Sequence, residues 1–240
     1  MSYLQIWFLL WHSLFGQSIP FPGPGRAPTV TPLTFTFQDM ATGGENGGSV
    51  ASLTSDTNLT LSSGNLVVIS CRSGGDRTFT FSDSAGSTYS SITRQLWLGS
   101  GASFQIGYTL NSASGSSSFT CTPSSNASNM ALVVLRYSVS GGTPVLDTSA
   151  STTATSSTSW TSPSFSTASG GLVVACATVA AVAAYTAGAI GGNTATHRNP
   201  GYDFDTGCED TTFSSAQSSI TAAISTAGSN DWGGSVIAFK

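Results

Sequence analysis

Beyond residue 30 the chain alternates apolar and polar residues with period two. Leu33-Thr34-Phe35-Thr36-Phe37 alternates, as do Thr78-Phe79-Thr80-Phe81 and Phe104-Gln105-Ile106-Gly107-Tyr108-Thr109-Leu110. Successive side chains of an extended chain point to opposite faces, so each segment predicts a strand with one buried face. Clusters of Gly, Ser, Asn and Asp, among them ATGGENGG, SDSAGS, NSASGSSS and SVSGGTP, separate these segments and supply turns.

Three segments abandon the alternation: Gly64 to Cys71 (GNLVVISC), Met130 to Tyr137 (MALVVLRY) and Gly171 to Cys176 (GLVVAC). Continuous apolar runs of this length mark central strands covered on both faces. The first and third both follow Ser and Gly and both end in Cys, which predicts two related halves, each giving one central strand. With the flanking segments, about a dozen strands result, and the expected fold is all-β: an antiparallel two-sheet sandwich of jelly-roll type over residues 29–240. The uncharged run Gly171 to Ile190 is long enough to cross a bilayer, yet it is rich in Ala, Gly and Thr, so it is read as a long buried strand with its continuation.

The first 28 residues follow a different pattern. Leu4, Trp7, Phe8, Trp11, Leu14 and Phe15 recur at helical spacing and form one apolar stripe. Burying each large apolar side chain is worth about 1.5 to 3 kcal/mol, so such a block needs walls. It carries no Lys or Arg, which a secretory leader would show, although a small-x-small site occurs at Gly16-Gln17-Ser18. Next come Phe21 and a run of Pro and Gly, which forbids helix and favours an extended spacer of roughly 30 Å over ten residues. Residues 1–28 are therefore expected to form an extended arm that anchors in a neighbouring copy or another protein. The alternatives are an arm folded back on its own domain, a membrane contact or a leader.

Composition narrows the chemistry. Charged residues make up only 8% of the 240, against about 25% in an average soluble domain, and the net charge is −4. Polarity comes from hydroxyls, and no basic stripe exists to meet a nucleic acid. The four cysteines lack the C-x-x-C spacing of a zinc site. Cys71 and Cys176 end apolar runs and read as buried free thiols; Cys121 and Cys208 lie in polar stretches and would be able to pair in an oxidising compartment.

Serine is too common to nominate a nucleophile, and the two histidines, His12 and His197, lie in the arm and in a polar loop with no Gly-x-Ser-x-Gly elbow. His197 reads as a surface side chain. The densest acidic cluster spans Asn199 to Asp210, where Asp203, Asp205 and Glu209 offer oxygen ligands of the kind Ca²⁺ takes, without the full twelve-residue loop. A solvated acidic loop is the plainer reading, so no cofactor is expected beyond that calcium option. Trp97, Trp160, Tyr202 and Trp232 are the aromatic residues that a sugar-binding jelly roll would use.

Four stretches carry a family resemblance: SDSAGSTYSSI (82–92), LVVLRYS (132–138), GGLVVACAT (170–178) and NDWGGSVIAFK (230–240). Together they resemble the jelly-roll-like β-sandwich structural proteins of tailed-phage virions and some bacterial surface proteins. That resemblance implies a non-enzymatic role on the virion surface, as capsid decoration or a tail component. Its partners would be other virion subunits, with homo-oligomers expected; the charge balance and the short apolar runs lead us to expect neither nucleic acid nor a membrane span. The alternatives are a carbohydrate- or receptor-binding module and a subunit of an extracellular filament.

Overall fold

The computed structural model describes residues 32–240 except 46, 98–100, 181–183 and 199–205. No helix occurs among the described residues, and none is long and apolar enough to cross a membrane. Eight long strands carry the fold: β1 (Thr34–Glu45), β2 (Leu66–Gly74), β3 (Ala102–Thr109), β4 (Met130–Ser140), β5 (Leu146–Thr161), β6 (Gly171–Val179), β7 (Thr206–Phe213) and β8 (Ala223–Phe239).

The two halves repeat one topology, in line with the expected duplication. The first sheet has the order β1-β4-β2-β3 and the second β5-β8-β6-β7, all pairs antiparallel, with short edge segments added beside β3, β7 and β8. Register fixes the correspondence. Val67 pairs with Thr109 and Arg136, while Val173 pairs with Thr211 and Ala238, so Leu66 and Leu172 occupy equivalent places.

The two large sheets meet face to face across one core that includes Val68, Phe104, Leu135 and Tyr137 from the first and Leu172, Val174, Ile237 and Phe239 from the second. Their outer faces are also covered. Short strands such as 53–54, 79–83 and 119–123 close a second core around Ile69, Phe119 and Leu132, and the segments 165–167 and 217–220 help to close a third around Trp160, Val173 and Trp232. Both faces of β2 and β6 are therefore dry, which is why their sequences do not alternate. The expected two-sheet sandwich holds at its centre and gains a covering layer on each side.

Strand β3 corrects the expectation of one buried face, because all eight of its residues are buried. Its polar positions face the first covering layer and are used there. Gln105 donates to the carbonyl of Ile92 (2.8 Å) and accepts from the Phe79 N–H (3.1 Å). At Gly107 the Phe81 ring lies where a Cβ would stand, 2.4 Å away, so only glycine admits that ring. In the apolar run at 171–190 the buried strand β6 ends at Val179, and short pairings at 185–186 and 189–190 continue it.

The cysteines also differ from expectation. All four are bonded, Cys71 to Cys121 and Cys176 to Cys208, and none is free. Aligning Leu66 with Leu172 sets Cys176 against Ser70, not Cys71. A one-residue offset in a strand reverses the face. Cys71 consequently points outward and joins β2 to the covering layer, whereas Cys176 points into the central core and joins its register partner on β7. The Cys208 sulfur lies 3.5 Å from the Ser70 hydroxyl, across the gap between the large sheets.

Bare backbone makes room for two aromatic plates on β8. A Cβ on Gly233 would fall 1.8 Å from the Trp97 indole, and one on Gly234 would fall 2.5 Å from the Trp160 ring. Adjacent glycines thus seat one tryptophan on each face of a single strand.

Candidate functional site

The arm residues Leu4, Trp7, Phe8, Trp11, Leu14, Phe15 and Phe21 lie outside the described residues, as do Tyr202, Asp203 and Asp205. Of the calcium candidates only Glu209 is described, and it belongs to β7. No group of three or more His, Cys, Asp or Glu side chains able to hold a metal occurs among the described residues. Glu209 and Asp210 are consecutive strand residues, so their carboxyls point to opposite faces and form no pair.

Asp210 faces the central core and is almost fully buried. Three donors converge on it: the Tyr137 hydroxyl at 2.6 Å, and Arg198 Nε at 2.8 Å and Nη2 at 2.9 Å. The Arg198 guanidinium also lies over the Phe37 ring at 4.0 Å, and Phe37 packs edge-on to Tyr137. Burial and the neighbouring Asp210 carboxylate raise the Tyr137 hydroxyl well above its ordinary range, so it serves as a donor. At the other end of β2, Arg72 reaches the Val179 carbonyl (3.0 Å) and lies over Trp97. Two polar locks thus tie the halves together.

Glu209 faces the outer core of the second half. One of its oxygens accepts the Gly188 N–H at 2.8 Å, and Oε1 has no partner among the described residues. His197 is its register partner on the neighbouring short strand 196–197, half-buried rather than a surface side chain, with Nε2 buried and without a partner among the described residues. Burial pushes the Glu209 carboxyl up to about 7, opposed by the Gly188 N–H and aided by the smaller effect of the Asp210 charge. Burial lowers His197 below 6.5.

Glu209 holds its proton more tightly folded than unfolded, so its contribution is complete below pH 4.5 and is lost as pH rises to about 7. The loss is about 3 to 4 kcal/mol at about 1.4 kcal/mol per pH unit. His197 acts oppositely, costing stability as pH falls below 6.5. Glu209→Gln keeps the acceptor for Gly188 and removes the charge. It should match wild type in thermal unfolding near pH 5 and exceed it above pH 7. Parallel wild-type and variant curves from pH 4.5 to 8.5 would show that Glu209 is not a buried neutral acid.

The aromatic candidates Trp97, Trp160 and Trp232 are at most 3% exposed and belong to the cores. An open groove lies elsewhere, at the end of the first half where the turn Ser62-Ser63-Gly64-Asn65 enters β2. Gly64 takes a left-handed φ of 85° there, and Asn65 N–H closes the turn on the Ser62 carbonyl. Two adjoining hollows of about 520 and 390 Å³ share Ser63, Leu110 and Asn111. One wall is the loop from Gly86 to Ser90, shaped by Asp83, which accepts the Ser87 N–H (3.1 Å) and the Tyr89 hydroxyl (2.8 Å). Sequence reasoning missed this groove because its residues are separate Ser, Thr and Asn positions in a chain full of them.

Comparison of the chain with known protein families, curated proteins and solved structures finds no match.

Proposed function

We propose that this chain is a non-enzymatic structural protein of an extracellular assembly, with the surface of a tailed-phage virion as the leading setting. The apolar block of residues 3–15 and its Pro/Gly spacer carry the reading, because they precede β1, an edge strand of the first sheet. Apolar burial across a subunit boundary holds the assembly together, while the body is displayed outward. The buried disulfides support an oxidising exterior, since reducing cytosol disfavours such bonds. The covered cores and hydroxyl-rich exposed strands support a body that needs no charge for solubility. Glu209, fully buried, is withdrawn from any substrate.

Deleting residues 1–28 should leave a body with unchanged β-sheet circular dichroism that no longer joins particles or larger species in sedimentation. Assembly of the truncated chain at the level of the full chain would refute the reading.

A further inference from the structure

The groove beside Ser63 has no part in anchoring by the arm, and the duplicated fold supplies an internal control for what it is. Register places Gly171, Phe213 and Ala238 of the second half where the first half has Asn65, Asn111 and Arg136. The same strand order stands in the second half without those polar groups. In the first half Asn65 Oδ1 accepts from the Ser62 N–H (2.9 Å) and from Arg136, and Arg136 is paired with Asp39, so Asn111 is the one of the three whose side chain makes no hydrogen bond among the described residues. A Cβ at Gly171 would fall 1.9 Å from the Phe239 carbonyl oxygen, so backbone fills the space that Asn65 occupies in the first half. Asn65, Asn111 and Arg136 are confined to the first half, whereas Ser63 has a counterpart in Ser169.

The chemistry of the walls narrows the ligand. Ser63, Thr88, Ser90, Asn111 and Thr143 line the two hollows, are exposed, and make no side-chain hydrogen bond within the described residues. They offer hydroxyl and amide groups, each able both to donate and to accept. Between them lie small, partly exposed apolar surfaces from Leu110, Ala113 and Val139. The lining guanidinium, Arg136, is already held by both oxygens of Asp39 at 2.6 and 2.7 Å, so among the described residues the groove presents no free charge to an anion. A ligand matching these walls carries many hydroxyls, no net charge and apolar C–H faces. The joined hollows fall within the size range of small-ligand sites.

We infer that this groove binds a neutral oligosaccharide. The site lies on the body, so its failure would leave the anchoring role of the arm untouched, and failure of the arm would leave the groove intact. The test uses the full chain and four probes: the neutral tetrasaccharides of α-linked glucose, β-linked glucose and N-acetylglucosamine, and a glycan array that includes acidic sugars and control peptides. Binding is read by calorimetry or by ¹H–¹⁵N chemical shifts. At least one neutral probe should bind saturably and shift Ser63, Asn111 and their neighbours. Asn111→Ala removes an exposed amide that the fold does not use and should weaken binding tenfold or more. Ser63→Trp, which fills the shared wall, should abolish it, with melting temperatures unchanged in both. The inference is overturned if no neutral sugar binds, if binding survives both substitutions, or if only acidic glycans or peptides respond.

Discussion

Replacing Cys71 and Cys121 together by alanine is expected to cost about 4 kcal/mol. That figure is the unfolded-chain entropy removed by closing a separation of 50 residues. Both sulfurs are fully buried, so a small cavity adds to the loss. Cys176→Ala/Cys208→Ala should cost a similar amount, because its separation of 32 residues enters only as a logarithm. Local consequences separate the two bonds. Cys71–Cys121 ties a large sheet to a thin covering layer, so its loss should speed amide exchange at 53–54, 79–83 and 119–123 well before global unfolding. Cys176–Cys208 joins strands already paired through eight positions, and its loss should leave local exchange on β7 nearly unchanged. Equal exchange behaviour in the two variants would contradict the layer assignment.

Asp210→Ala should destabilise the chain by about 3 kcal/mol, because it strands the Arg198 guanidinium and the Tyr137 hydroxyl without their acceptor. Tyr137→Phe removes one hydrogen bond to the same carboxylate and should cost about 1.5 to 3 kcal/mol. The double variant Asp210→Ala/Arg198→Met removes both charges, and Met keeps an apolar stem over Phe37. It should recover most of the loss, since the penalty comes from the unpaired charge rather than from the missing attraction. A loss below about 0.5 kcal/mol for Asp210→Ala would mean that the pair behaves as an exposed surface bridge.

These two sites show what the sequence reveals of this fold and what it hides. The three unbroken apolar runs each become a central strand, because burial on both faces leaves a signature that needs no knowledge of neighbours. The repeat of GNLVVISC in GGLVVAC was also legible, and it does mark two related halves. Its matching cysteines misled by a single position, since a register shift of one residue is invisible until a partner strand fixes the faces.

Strand β5 was hidden for another reason. Its Ser/Thr run from Leu146 to Thr161 has no apolar alternation, and it forms through pairing with β8 and the burial of Trp160. The stretch Thr206 to Asp210 reads as an acidic loop, yet all five residues are buried. Polar residues survive there because Tyr137, Arg198 and the Gly188 N–H meet their carboxylates, and such partners come from distant parts of the chain. The groove was hidden likewise: Ser63 and Asn111 are brought together only by the pairing of β2 with β3.

Anchoring by the arm is the claim on which the functional account rests, and its most direct measurement is photo-crosslinking from position 11. A photoreactive phenylalanine analogue in place of Trp11, in the assembled full-length chain, should form bonds to a different polypeptide. With isotopically mixed protein, a second copy would appear as mixed-mass pairs. Crosslinks confined to residues 32–240 of the same molecule would show that the arm packs on its own body, and anchoring would be ruled out.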